Sequence, residues 1–119
     1  SRGLGDVYKR QLIDSAKDYV HRNYRSVDLG LDDTCKELGV SNSYFSSLFK
    51  KETGSSFVEY LTDYRMDKAA RMLVETDDKS YVIAQNVGYA DPNYFSYVFK
   101  RKYGVSPSRY RTEYEKNKV

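Results

Sequence analysis

A chain of 119 residues that is 39% apolar and 31% charged can bury one compact core, or two very small ones. Its single cysteine (Cys35) and single histidine (His21) exclude an intrachain disulfide, a CxxC redox motif and a complete zinc set. The net charge of +3 is mildly basic, and only two prolines and seven glycines leave little room for a β-sandwich or a disordered tail and favour helices.

In chain order, Ser1 to Gln11 show no clear amphipathic pattern and read as a leader or an assembly scar, outside the fold. From Leu12 the pattern sharpens. Leu12, Ile13, Ala16, Val20 and Tyr24 recur at helical spacing, and Arg25 to Gly30 makes a loop. A second helix is predicted from Leu31 to Leu38, with Gly30 as N-cap and Asp32 and Asp33 at the positive end of its dipole. Gly39 stops it. Ser41 or Asn42 then caps a third helix, whose stripe of Tyr44, Phe45, Leu48 and Phe49 is expected to face the core. Asn42, Ser43, Ser46, Ser47 and Lys50 fall on its other face.

After the break at Thr53-Gly54-Ser55, Ser56 and Glu59 form a capping box that opens a long helix, Phe57 to Glu75. Its buried side is read as Phe57, Leu61, Tyr64, Ala69, Met72 and Leu73, and at ~1.5 Å per residue it is a strut of roughly 28 Å. Arg65 and Arg71 lie among its acids and are expected to pair within it. A fifth helix runs from Ser80 to Val87 and stops at Gly88. Asp91 caps the sixth, with Pro92 at its first position. That helix turns Tyr94, Phe95, Val98 and Phe99 inward, and Asn93, Ser96, Tyr97, Lys100 and Arg101 outward. Ser106-Pro107 opens a closing helix to about Lys116.

One phrase is written twice. Tyr44-Phe45-Ser46, Leu48-Phe49-Lys50-Lys51, Gly54 and Tyr60 return fifty positions later as Tyr94-Phe95-Ser96, Val98-Phe99-Lys100-Arg101, Gly104 and Tyr110. Helix, short glycine turn and a second helix with a basic end outline a helix-turn-helix reader. The organisation that follows is all-α, about seven helices: a first unit over 12–54, a linker helix over 55–76 and a second unit over 77–116.

Charge follows the repeat. Asn93 to Thr112 holds five bases (Lys100, Arg101, Lys102, Arg109 and Arg111) and no acid, and Leu38 to Lys51 holds two bases and no acid. Glu52 to Asp78 holds seven acids against three bases. Positive charge is therefore gathered on the repeated helices, as a phosphate-facing surface requires.

Leu12 to Arg111 resembles the DNA-binding domain of the AraC/XylS family of bacterial transcription regulators. The residues that carry the resemblance are Val87-Gly88-Tyr89-Ala90-Asp91-Pro92-Asn93-Tyr94-Phe95-Ser96, Phe99-Lys100, Gly104-Val105-Ser106-Pro107 and Tyr110-Arg111. The first unit adds Leu38-Gly39-Val40-Ser41, Tyr44-Phe45 and Phe49-Lys50-Lys51-Glu52-Thr53-Gly54. The resemblance implies that each unit sets its second helix in a major groove, with the two insertions about one turn of duplex apart. It implies no cofactor and no catalysis. It also implies RNA polymerase as a second partner, and a missing N-terminal effector or receiver domain. The expected setting is the bacterial cytoplasm, at the nucleoid.

Base reading is expected from Asn42, Ser43, Ser46 and Ser47 in the first unit, and from Asn93, Ser96 and Tyr97 in the second. Asn can pair bidentately with adenine, while Ser accepts several bases. The family often carries Arg where this chain has Ser47 and Tyr97. The strongest guanine-reading device is then absent, which points to A·T-rich sites or contact with thymine methyls. Lys50, Lys51, Lys100, Arg101 and Lys102 are the candidate phosphate contacts.

Two other functions compete. Some repair proteins carry this fold beside a cysteine methyl acceptor, and Cys35 alone could serve here. The helices could also form a protein-interaction module without autonomous DNA binding.

Overall fold

Local capping chemistry sets where the helices begin and end. The computed structural model describes residues 2–118, without the side chains of Arg2 and Leu4. Among the described residues there are seven helices and no strand: α1 (Arg2–Asn23), α2 (Leu31–Leu38), α3 (Asn42–Thr53), α4 (Phe57–Glu75), α5 (Ser80–Asn86), α6 (Pro92–Tyr103) and α7 (Pro107–Asn117). Ser41, rather than Asn42, caps α3, its Oγ accepting the Tyr44 N–H at 3.2 Å. Ser56 does the same for α4 through the Glu59 N–H at 3.1 Å, and Ser106 for α7 through the Arg109 N–H at 3.2 Å. The Asp91 carboxylate accepts the Asn93 N–H at 2.9 Å, with Pro92 opening α6. Each of these side chains satisfies an amide that the helix itself leaves without a partner. The two copies of the repeat end alike, on Gly54 at φ 86° and Gly104 at φ 80°, a left-handed conformation that a Cβ would strain.

The helices pack as two units. The first holds the residues up to Tyr24 together with Asp28–Leu61, and the second holds Arg25–Val27 together with those from Thr62 on. The first packs α1, α2 and α3 against one another. Its centre is aromatic: Phe57 lies 5.4 Å from Phe45 and 5.5 Å from Phe49, ring edge to ring face. Leu12, Ile13, Ala16, Val20, Leu48 and Leu61 close around them. In the second unit α6 packs on α5 and α7, and Phe99 is its hub, with Tyr103 at 4.7 Å and Tyr110 at 5.4 Å. Met66, Ala69, Leu73, Ile83, Ala84, Val87 and Phe95 complete that core.

Packing departs from the linear reading in four places. Helix α1 starts at Arg2, ten residues ahead of Leu12, and so includes the segment read as a leader. Gly3 and the residues from Gly5 to Tyr8 are exposed, so nothing there has to show an apolar stripe. Ser1 lies outside the described residues. Helix α4, read as the linker, is divided between the units: Phe57–Leu61 belongs to the first and the remainder to the second. Tyr44 and Tyr94, assigned to buried stripes, are 43% and 57% exposed, while Phe45 and Phe95 beside them are fully buried. Consecutive helical residues point about 100° apart, and the phenylalanines alone fill each core. Finally, Arg65 is buried and has partners outside its own helix. Its Nη2 donates to the Ser26 carbonyl at 2.7 Å, and its guanidinium lies 5.6 Å from the centre of the Tyr89 ring. Arg71 does pair within α4, with Glu75 at 3.7 Å.

Thr34 carries a local defect. It is fully buried on α2, and among the described residues its Oγ1 has no hydrogen-bond partner. A buried hydroxyl without a partner costs about 1–3 kcal/mol. Thr34→Val keeps the shape and removes the cost, so it is expected to stabilise the first unit by about 1 kcal/mol and raise its melting point by about 4–8 °C. A thermal melt that moves down instead would show that the hydroxyl has a partner.

Candidate nucleic-acid interface

Two helices present equivalent faces, one in each unit. On α3, Phe45 and Phe49 are fully buried and fix the helix from below. Asn42, Ser43, Ser47, Lys50 and Lys51 are exposed on the other side, with Ser46 half-buried at the edge. The Asn42 side-chain amide donates to the Asp32 carboxylate on α2, so Asn42 is oriented before any ligand arrives. On α6, Phe95 and Phe99 are fully buried in the same way. Asn93, Tyr97, Lys100 and Arg101 are exposed, and Ser96 is half-buried. The structure thus places every expected base-reading residue on its exposed face or at its margin.

The cations divide. Lys50, Lys51, Lys100 and Arg101 are exposed at the basic ends of α3 and α6. Lys102, grouped with them on sequence, is turned onto α4. Its Nζ lies 2.7 Å from Asp67 Oδ1 and 3.5 Å from Asp63 Oδ1, and it donates to the Asp63 carbonyl at 3.3 Å. Tyr103 donates to the same Asp67 oxygen at 2.7 Å. Burial pushes the Asp67 carboxyl up, but Lys102 and Tyr103 outweigh it and hold the group below the usual carboxylate range. Of the other bases in that run, Arg109 pairs with Glu113 at 3.1 Å. Arg111 donates to the carbonyls of Leu73 (2.8 Å), Asp78 (2.7 Å) and Thr76 (3.1 Å), which closes the C-terminal end of α4. Only Lys100 and Arg101 of those five bases are left on the face of α6.

Sequence reasoning missed Tyr94, which stands exposed beside Tyr97 with ring centres 6.3 Å apart. Arg101 stacks on Tyr97 from the next turn, its guanidinium 5.8 Å from the ring centre. Cys35, the candidate methyl acceptor, is 2% exposed, and burial, with Asp32 adding to it, pushes its thiol pKa up. A thiol in that state is a packed apolar side chain and a poor nucleophile.

Residues 34–113, about two thirds of the chain, match a family described as a helix-turn-helix domain. The chain belongs to the AraC-type helix-turn-helix family. This AraC-type domain is 36% identical over 80 residues to the lactose operon transcription activator of Staphylococcus xylosus, covering 67% of the present chain and 28% of that protein. Among solved structures it is similar to the C-terminal domain of AraT, a response regulator from Geobacillus stearothermophilus. The TM-score is 0.84 at 39% identity, over 86% of this chain and 84% of that one. It shares its fold with the DNA-binding domain of AdpA, solved in complex with a target DNA, at a TM-score of 0.82 and 22% identity over 90% and 95% of the two chains. The chain spans about a third or less of the curated relatives it matches. The family is one of transcription regulators, a non-enzymatic class, and its DNA-binding units are the two helix-turn-helix units described above. Among the described residues, no helix is long and apolar enough to cross a membrane.

Proposed function

We propose that this AraC-type domain binds double-stranded DNA of defined sequence through α3 and α6, each set in a major groove, at two elements about one turn of duplex apart. One observation carries this reading. The same exposed, acid-free face with a basic end occurs on both helices, each backed by two fully buried phenylalanines. The solved complex of AdpA with its target DNA, alike in fold, supports it.

Each residue type has its work. Asn42 and Asn93 pair with adenine edges, and Ser43, Ser46, Ser47 and Ser96 accept several bases at short range. Tyr97 covers the floor of the second groove. Lys50, Lys51, Lys100 and Arg101 hold phosphates and set register, while Lys102 steadies the helix that carries them by anchoring it to Asp67. The relatives are several times longer than the stretch they share with this chain, and AraT is a response regulator. We infer that the domain works as the DNA-reading part of a longer bacterial regulator. A receiver or effector-sensing domain supplies the signal, RNA polymerase is a second partner, and the nucleoid is the place of action.

Selection from a random duplex pool at ~150 mM salt tests this, because specific binding survives at that ionic strength. The expected winners carry two short elements about 10 bp apart. Asn42→Ala relaxes one element, Asn93→Ala relaxes the other, and Lys50→Ala weakens all sites alike. A pool that yields no motif and no salt-sensitive binding would leave the protein-interaction reading in its place.

A further inference from the structure

We propose that the second unit reads the C5-methyl groups of thymine through a pair of exposed tyrosines, Tyr94 and Tyr97. This rests on the reading of α6 as a DNA-contacting helix, and it adds the chemistry that α6 selects.

The pair is built rather than incidental. Tyr94 is 57% exposed and Tyr97 is 52% exposed, so two large rings stand bare on a helix whose phenylalanines are fully buried. They are also anchored. Phe95 in the core lies 5.7 Å from Tyr89, Tyr89 lies 6.1 Å from Tyr94, and Tyr94 lies 6.3 Å from Tyr97. At the far end Arg101 covers the Tyr97 ring, and its Nη1 donates to the Tyr97 hydroxyl at 3.5 Å. A chain of rings thus runs from core to surface and closes on a guanidinium. Rings held in this way lose little rotamer freedom on binding, so most of the contact energy is kept as affinity.

Their placement suits the groove floor. At about 100° per residue, Lys100, Asn93, Tyr97, Arg101 and Tyr94 fall within an arc of roughly 120° on α6. Asn93 and the two rings then face bases while Lys100 and Arg101 reach phosphates. In the major groove thymine alone among the bases presents a methyl group, and apolar side-chain contact is how it is read. Burying one methyl is worth about 0.8 kcal/mol, which is about fourfold in affinity. The first unit lacks the device. Fifty positions earlier, Ser43, Ser47 and Lys51 stand where the second has Asn93, Tyr97 and Arg101, so Tyr44 has no ring partner at the position equivalent to Tyr97. Methyl reading therefore belongs to one half of the site.

Uracil in place of thymine removes the methyl and nothing else. The selected duplex is used, its second-unit element identified as the one that Asn93→Ala relaxes, and each thymine is replaced singly. About a fourfold loss is expected at one or two thymines of that element and none in the other. Tyr97→Ala should bind the parent duplex more weakly and no longer distinguish uracil from thymine there, with an unchanged melting temperature because the ring is at the surface. Arg101→Lys keeps the charge and should keep the salt slope, yet shrink the uracil penalty, since an ammonium cannot stack as the guanidinium does. The proposal falls if the second-unit element holds no thymine, if the penalty is the same in wild type and Tyr97→Ala, or if Tyr97→Ala leaves DNA affinity unchanged. That last result would make the tyrosine pair a protein-docking patch. Failure to recover any element sinks the DNA-binding reading itself, a different result from a recovered element indifferent to uracil.

Discussion

Raising salt from 50 to 200 mM is expected to weaken binding to the selected duplex about 150-fold, because each neutralised phosphate contributes about −0.9 to the slope of log K against log salt. The count of cations sets that figure. Lys50, Lys51, Lys100 and Arg101 are exposed on the two helices proposed to face DNA, so the expected slope is about −3.6. Counting Lys102 as the sequence suggests would steepen it to about −4.5 and the loss to about 500-fold. Geometry decides against that. The Lys102 ammonium already has carboxylates at 2.7 and 3.5 Å, and leaving them would strip Asp67 of a partner that lowers its pKa. Lys100→Ala should therefore flatten the slope by about 0.9. Lys102→Ala should leave it unchanged. A salt titration of the three proteins on one duplex settles the assignment, and a slope near −4.5 in the wild type would put Lys102 on the phosphates.

What could be read from the sequence was local. Helix boundaries after α1 came out closely because Ser41, Ser56, Asp91-Pro92 and Ser106-Pro107 cap through amides two or three positions away, and glycine stops act on one residue. The repeated helices α3 and α6 were legible for a related reason: a repeat of buried Phe and basic end is visible without any tertiary knowledge. The contacts that the sequence does not show have partners distant in it. Lys102 meets Asp67 across 35 positions, and Arg65 meets Ser26 across 39. Arg111 reaches three carbonyls between 33 and 38 positions away. No charge pattern announces such partners, because a base on a surface and a base closing a helix end look alike in one dimension. Tyr94 was misplaced for a different reason. It adjoins Phe95 at the margin of the apolar stripe, and periodicity leaves a residue there ambiguous until the volume of the core is known.

Phe99→Ala is expected to destabilise the second unit by about 3–5 kcal/mol, the range for truncating a fully buried aromatic ring. The ring is 0% exposed and has Phe95, Tyr103 and Tyr110 within 6.0 Å, so its loss leaves a cavity that three rigid neighbours cannot fill without moving. A unit of this size holds only about 3–9 kcal/mol in all, at roughly 0.05–0.15 kcal/mol per residue. The variant should therefore lose most of the stability that holds α6 in shape. Phe49 is its counterpart fifty positions earlier, also fully buried, among Phe45, Phe57 and Tyr60. If each unit keeps its own core, Phe99→Ala should still select the element read by α3 and lose the other, and Phe49→Ala should do the reverse. Circular dichroism during heating should show part of the helix signal melting early in either variant. A single transition at the wild-type temperature would mean that the Phe99 cavity collapses at little cost. Loss of both elements in either variant would mean that neither reading helix holds its shape once one core is broken, and that α4, which contributes residues to both units, transmits the damage.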